Sequence, residues 1–441
     1  MKRLLPLLLC AVLALFCATT AQAAGVSITL TASEYALHYA FDAGAQDPFV
    51  ILEYATPAEK GWMMLYSEDG HFEGDVSLAY SGAGGKTSVA LTSARTTGSI
   101  GKASTTLPKA ADYQKPTGKS NAKVMDFVLT ETPEGFHYAF NAIGTDYMLL
   151  YWRSKEQTVT QPVYPDENGH YEGDVVSELT FARTQFTVQV KSGSGSMKKE
   201  ATVRKGYQAP EAPQRQEGRL SGVTVCIDAG HQENGRFVNE PIGPGLTGST
   251  SGKGGMAQGT KTNRRESIVC LEIGMLLRDE LLRQGANVIM TREDQTTFHT
   301  NIERCEIAEA GGAQIMLRLH CNNSSNRSKR GIQVYGPLNS DYAKAVADAD
   351  TYREMGQKLL DAMKTRVGMM LANSTGMVRL NDNYVGNNWA KMMCFLVEMG
   401  YLSNPAEEYL LVTPVYQQWL AEGMADGVYE IAVARGWVQA Q

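Results

Sequence analysis

The chain has 441 residues, too many for one ordinary core, and its 43% hydrophobic and 20% charged residues are those of a globular protein rather than a disordered one. Lys plus Arg number 41 against 47 for Asp plus Glu, giving a net charge of -6. That balance argues against a nucleic-acid partner, which needs a basic stripe.

The first segment has the layout of a secretory signal. Lys2 and Arg3 precede an apolar run from Leu4 to Phe16, and Ala21-Gln22-Ala23 is a small-x-small cleavage site. The run is shorter than the roughly 20 residues that a membrane span needs. The sequence therefore predicts a signal peptide over 1–23 and an exported protein, secreted or held in the cell envelope, with no membrane span after cleavage.

Next comes a duplication. His38-Tyr39-Ala40-Phe41 recurs 99 residues on as His137-Tyr138-Ala139-Phe140, and Gly70-His71-Phe72-Glu73-Gly74-Asp75-Val76 recurs at the same offset as Gly169-His170-Tyr171-Glu172-Gly173-Asp174-Val175. Short apolar or alternating runs such as 49–54, 147–152 and 186–191, separated by turn residues, predict two repeated small all-β, sandwich-like domains over 24–95 and 122–191. Ser-, Thr-, Gly- and Pro-rich stretches at 96–121 and 192–220 read as flexible linkers that let three bodies move. A shared turn or packing role explains the four duplicated histidines more simply than a ligand does.

From 221 to 441 the texture changes to strands alternating with helices: strands at 223–227, 287–290, 315–319 and 392–397, and helices at 266–283, 302–310, 342–367 and 415–434. This order predicts an α/β domain with a mostly parallel sheet flanked by helices on both faces. Cys226, Cys270, Cys305, Cys321 and Cys394 all fall here. Cys226, Cys270 and Cys394 lie in apolar runs as buried small hydrophobes, and one disulfide among the five stays open.

Two of the strands run into histidine, at His231 and His320, and sites in such sheets form beyond the strands' C-terminal ends. Glu266 opens the long helix three residues after Asn263, a capping-like pair. His231, Glu266 and His320 together make the His₂Glu set of a catalytic zinc site, one Zn2+ per chain. A further strand leads directly into Glu398, whose desolvation would raise its pKa toward that of a general base. His299 reads as a solvated loop residue.

These residues resemble the zinc-dependent N-acetylmuramoyl-L-alanine amidase family over about 222–437. The resemblance rests on Ile227-Asp228-Ala229-Gly230-His231, Arg265-Glu266, Thr291-Arg292, His320 with Asn322, and Glu398-Met399-Gly400-Tyr401-Leu402-Ser403-Asn404. It implies that His231, Glu266 and His320 bind zinc, that Glu398 is the catalytic acid/base, and that the substrate is peptidoglycan. The chain departs from the family pattern at Ala229 and Gln232, where proline and glycine are usual, and at Arg318, where serine is. A Gly-rich segment runs from Gly243 to Gly259 beside the site. Two other readings are a catalytically silent wall-binding or regulatory protein of the same fold, and a zinc peptidase acting within the stem peptide. The repeats are expected to hold the chain at the wall or to another envelope component.

Overall fold

The computed structural model describes residues 19–21, 25–111, 113, 123–132, 135–143, 147–153, 157–176, 185–191, 198–204, 209–232, 238–250, 255–367 and 377–440. The expected signal peptide lies outside them, apart from Thr19–Ala21.

The first repeat comprises β1 (Thr19–Ala21), β2 (Ile28–Ala32), β3 (Ala36–Asp42), β4 (Phe49–Ala55), β5 (Glu59–Tyr66), β6 (His71–Ser77), β7 (Gly85–Ser93) and β8 (Ser99–Leu107). The second comprises β9 (Lys123–Thr132), β10 (Gly135–Ile143), β11 (Met148–Arg153), β12 (Gln157–Val163), β13 (His170–Val176), β14 (Gln185–Lys191) and β15 (Lys198–Arg204). Each strand turns alternate side chains to opposite faces. In β3 this buries Leu37, Tyr39 and Phe41 while His38 and Asp42 face outward. The first core sets Ile28, Leu37 and Phe41 of one sheet against Val50, Leu52 and Leu91 of another. In the second, Phe136, Phe140 and Tyr171 meet Leu150, Trp152 and Val188.

The linkers are corrected by the structure. Ser99–Leu107, inside the first expected linker, is a full strand paired with β7. Lys198–Arg204, inside the second, pairs with β14. Between the repeats, β12 pairs antiparallel with β5, Thr158 opposite Lys60, so one eight-stranded sheet runs through both. Polar composition hid these strands because a sheet edge takes Ser, Thr and Lys on its solvent face without cost. The segment from Ala209 is also held down: Arg278 Nη2 donates to Pro210 O at 3.1 Å and Gln216 N to Leu282 O at 3.0 Å.

The C-terminal part is built from β16 (Thr224–Ala229), α1 (Glu266–Arg283), β17 (Asn287–Met290), α2 (Asn301–Ala310), β18 (Ile315–Asn322), β19 (Gln333–Gly336), α3 (Asp341–Val346), α4 (Ala349–Val367), β20 (Met377–Leu380), α5 (Val385–Trp389), β21 (Met393–Tyr401), α6 (Glu407–Leu410) and α7 (Pro414–Ala434). Its sheet has the order β17-β16-β18-β21-β19-β20 and is mixed: β19 runs antiparallel to β21, and the other pairings are parallel. Val225 and Ile227 face one core, shared with α1, α4 and α7, while Cys226 faces a second, with Cys305, Ala308 and Cys394. All five cysteines are buried and free, and no disulfide joins them. The helix expected over 342–367 is broken. Ala347 is extended, and Asp348 Oδ1 accepts from Thr351 N at 2.7 Å to start α4 afresh.

The first repeat docks on the C-terminal part through aromatic rings. Phe49 meets Trp419 at 5.3 Å and Tyr416 at 6.2 Å between centroids, Tyr66 meets Trp419 at 5.5 Å, and Trp62 meets Tyr409 at 4.6 Å. Phe49 is fully buried there. Phe49→Ala is expected to cost about 3–5 kcal/mol and to split calorimetric melting into separate transitions for the repeats and the C-terminal part. An unchanged melting profile would show the contact to be incidental.

Candidate metal centre and active-site cleft

Three parallel strand ends meet at one cleft of about 810 Å³, lined by His231, Glu266, His320, Glu398 and neighbours that all fall between 228 and 398. β16 delivers His231 through Gly230. A Cβ on Gly230 would lie 2.4 Å from Leu319 O and 2.6 Å from the His320 ring, so only glycine lets the two strand ends approach. His231 itself takes left-handed backbone, φ 57°. β18 carries His320, which stands opposite Glu398 in the register of β21.

Glu266, at the first turn of α1, joins the two imidazoles. Its Oε1 lies 3.1 Å from His231 Nε2 and 2.9 Å from His320 Nδ1, and the rings meet edge to face at 4.9 Å. Cys321 N donates to the same oxygen at 3.1 Å, and Ala257 N donates to Oε2 at 2.8 Å. Burial alone would raise the Glu266 pKa, but the hydrogen bonds and charge of His231 and His320 outweigh it and hold the carboxyl well below the usual range. The capping role expected with Asn263 is absent: Arg265 is the N-cap, without a side-chain cap bond, and Asn263 Oδ1 accepts from Gln258 Nε2 at 2.8 Å.

The set fits a metal ion. One donor atom from each of His231, Glu266 and His320 can be chosen with all three within 4.8 Å of one another. His320 Nε2 is buried and has no hydrogen-bond partner, and burial pushes its pKa down toward the neutral, ligating form. Glu398 Oε2 is likewise buried without a partner. Burial, and then the negative charge of Glu266, push the Glu398 pKa up to about 8.

A layer of buried charge lies beside the cluster; Asp228, Thr291 and Arg318 are legible in the sequence as motif or departure positions, whereas Arg304 carries no such signal. Asp228 is fully buried and bonds Arg304, Arg318 (Nε to Oδ2, 2.9 Å) and Thr291 (Oγ1 to Oδ1, 2.8 Å). Arg318 also donates to Asn301 Oδ1 at 2.7 Å, and Arg304 reaches the side chain of Gln232. Arg304 Nη1 also donates to Ala229 O at 3.0 Å, so the residues at all three departures belong to one network. Arg292 donates to Ala229 O, Gly230 O and Ser267 O at 2.7–2.9 Å, clamping the loop before His231 onto α1. His299, expected to be solvated, lines the cleft, and its backbone oxygen accepts from Arg304 at 3.2 Å.

Val238, Glu240, Thr250, Gly255, Met256 and Ala257 form one wall. Glu240 caps α2, accepting from Ile302 N at 2.8 Å and Asn301 Nδ2 at 2.7 Å. Of the Gly-rich stretch, Gly252 and Gly254 lie outside the described residues, while Gly255, Met256 and Ala257 line the cleft. Glu408, on α6, holds the return of this segment by accepting from Lys261 N at 2.9 Å and Thr260 Oγ1 at 3.1 Å.

Residues 225–430 match the family model described as N-acetylmuramoyl-L-alanine amidase. This part of the chain is an N-acetylmuramoyl-L-alanine amidase family domain. The chain is 26% identical over 231 residues to the germination-specific N-acetylmuramoyl-L-alanine amidase of Bacillus subtilis (strain 168), covering 49% of this chain and 83% of that protein. It is 26% identical over 218 residues to the probable cell wall amidase LytH of Staphylococcus aureus, covering 48% of this chain and 60% of that one. Among solved structures, the N-acetylmuramoyl-L-alanine amidase from Clostridium difficile 630 aligns with a TM-score of 0.38 at 25% identity, over 48% of this chain and 96% of that one. The Ami1 amidase from Mycobacterium smegmatis aligns at 0.43 and 16%, over 49% and 100%. His231, Glu266, His320 and Glu398, which converge on the cleft, all lie within the matched residues 225–430.

Asp228→Asn leaves two buried guanidinium groups short of an anion and is expected to destabilise the domain by about 3–5 kcal/mol, read as a lower denaturant midpoint. Burial would raise the Asp228 pKa, but Arg304 and Arg318 hold it far below the usual range. Its contribution is therefore complete above about pH 4 and is lost only as the pH falls through that depressed value. A stability difference between the two proteins that vanished at pH 5 would contradict this assignment.

Proposed function

We propose that the chain hydrolyses the amide bond between N-acetylmuramic acid and the L-alanine of the peptidoglycan stem peptide. His231, Glu266 and His320 would hold one Zn2+, and Glu398 would move the proton. The observation that carries this reading is the pairing, inside an amidase-family domain, of a compact His₂Glu cluster with a buried, partnerless carboxylate on the adjacent strand.

A zinc ion in this donor set supplies Lewis acidity, activating water and polarising the scissile carbonyl. The chain's own groups do the rest. Glu398 takes the proton of the attacking water and returns it to the departing amine nitrogen, a transfer that an amide requires because its leaving group is poor. Glu266 orients both imidazoles, and Ala257 N and Cys321 N fix Glu266. Action on peptidoglycan places the enzyme outside the cytoplasm, in the envelope or beyond it. Among the described residues no helix is long and apolar enough to cross a membrane. The joined repeats would hold the catalytic part to the wall or to another envelope component; failure of residues 24–204 to sediment with sacculi would remove that role.

The deciding measurement is mass spectrometry of products from purified peptidoglycan treated with the zinc-loaded chain or with Glu398→Gln. Stem peptides beginning at L-alanine are expected from the intact chain, with turnover reduced by about 10²–10⁴ in the variant and its zinc content unchanged. Peptides cut elsewhere would make the protein a peptidase. No product from either would favour a silent wall binder.

A further inference from the structure

The duplicated histidines do not pack in a core; they stand on an exposed sheet face, away from the cleft. β3 and β6 pair with His38 opposite Asp75, Ala40 opposite Glu73 and Asp42 opposite His71. At a rise of about 3.4 Å per residue, the two histidines start about 14 Å apart along the sheet and lean toward the glutamate between them. His38 Nδ1 lies 3.1 Å from Asp75 Oδ1, and its Nε2 lies 3.4 Å from Glu73 Oε1. His71 Nδ1 lies 2.7 Å from Asp42 Oδ1, and its Nε2 lies 3.6 Å from Glu73 Oε2.

The second repeat keeps this array 99 residues further on. His137 contacts Asp174 at 2.9 Å and Glu172 Oε1 at 3.3 Å. His170 contacts Asn141 Oδ1 at 2.8 Å and Glu172 Oε2 at 3.7 Å. Fold alone does not require such a match, because the outward positions of a strand are free to vary.

The chemistry follows from the tautomers. An aspartate carboxylate and an amide oxygen can only accept, so each Nδ1 carries the proton and donates it. A neutral imidazole then presents a lone pair at Nε2. With the imidazoles neutral, two such lone pairs in each repeat face one carboxylate, an array that is completed either by protonation of the imidazoles or by a bound cation. Their separations of 3.3–3.7 Å are longer than an ordinary N–H···O bond. A positive charge completes the array. A carboxylate or carbonyl oxygen behind Nδ1 is also the arrangement that orients metal-binding imidazoles and raises their basicity.

We propose that each repeat binds one divalent transition-metal ion of the zinc class, through His38, His71 and Glu73 in the first and His137, His170 and Glu172 in the second. Imidazole and carboxylate ligands suit zinc, copper and nickel better than calcium or magnesium. Among the described residues only the cleft trio already has its donor atoms within 4.8 Å of one another, so binding in the repeats requires their exposed side chains to be drawn together. The repeats differ at one orienting residue, Asp42 against Asn141. The first site carries the extra negative charge and binds more tightly.

The test is metal analysis of the full chain after dialysis against Zn2+, beside the surface variant His38→Ala/His137→Ala, whose folding is checked by circular dichroism. The intact chain is expected to retain two more equivalents than the variant. Long-range ¹H–¹⁵N spectra should show the Nε2 signals of His38 and His71 moving on zinc addition, with Asp42→Asn weakening that response about 10–100-fold. Equal zinc content in the two proteins, or Nε2 signals that ignore zinc and move only with pH, would overturn the proposal. Either result leaves the cleft's own metal and the amidase reading untouched, because those are tested on Glu398→Gln.

Discussion

A single buried carboxylate, that of Glu266, ties the cleft together. Left alone in a dry site it would cost several kcal/mol. Here it is met by two imidazoles and two backbone amides, drawn from the loop after β16, the end of β18 and the segment before α1. Each of those pieces is itself fixed from behind. Gly230 permits the approach of the first two, Arg292 clamps the loop, and Glu408 holds the return toward α1. The same negative charge reaches Glu398 and, together with burial, favours its protonated form. One residue thus gathers the donor set and conditions the neighbouring acid.

The Asp228 network shows how a departure from a family pattern can be accommodated. An arginine at position 318 introduces a buried cation beside the candidate metal site. The structure places Asp228 and Asn301 against it, with Arg304 sharing the same aspartate. Both guanidinium groups are tied to the one Asp228 carboxylate, which offsets one of their two charges, and amide oxygens of Asn301 and Gln232 accept from them as well. Gln232, another departure, is drawn into the same network by Arg304. The electrostatics of the cleft therefore depend on residues that touch no donor atom of the cluster.

The repeats and the catalytic part form one connected structure rather than separate bodies on flexible tethers. The β5–β12 pairing continues a sheet across both repeats, and the aromatic contacts of Phe49, Trp62 and Tyr66 bind the first repeat to α6 and α7. Among the described residues, those lining the cleft come from the amidase-family domain. The repeats' duplicated polar face lies on a sheet and carries its own chemistry.

The sequence by itself located the strongly patterned elements of the C-terminal part and singled out the candidate site residues. Apolar periodicity located α1, β17 and α7 to within a residue or so, because a buried face must repeat with the helix or strand period. His231, Glu266, His320 and Glu398 were legible because each stands at the end of a patterned strand or the start of a patterned helix. The offset of 99 residues marked the duplication for the same local reason. Only tertiary structure decided what those residues meet. No local pattern tells that Arg304 and Arg318 share Asp228, that Glu266 faces histidines instead of capping its helix, or that Ser- and Lys-rich stretches become edge strands. Those outcomes depend on pairings between segments tens to hundreds of residues apart, where a polar group's partner is set by the fold and not by its neighbours in the chain.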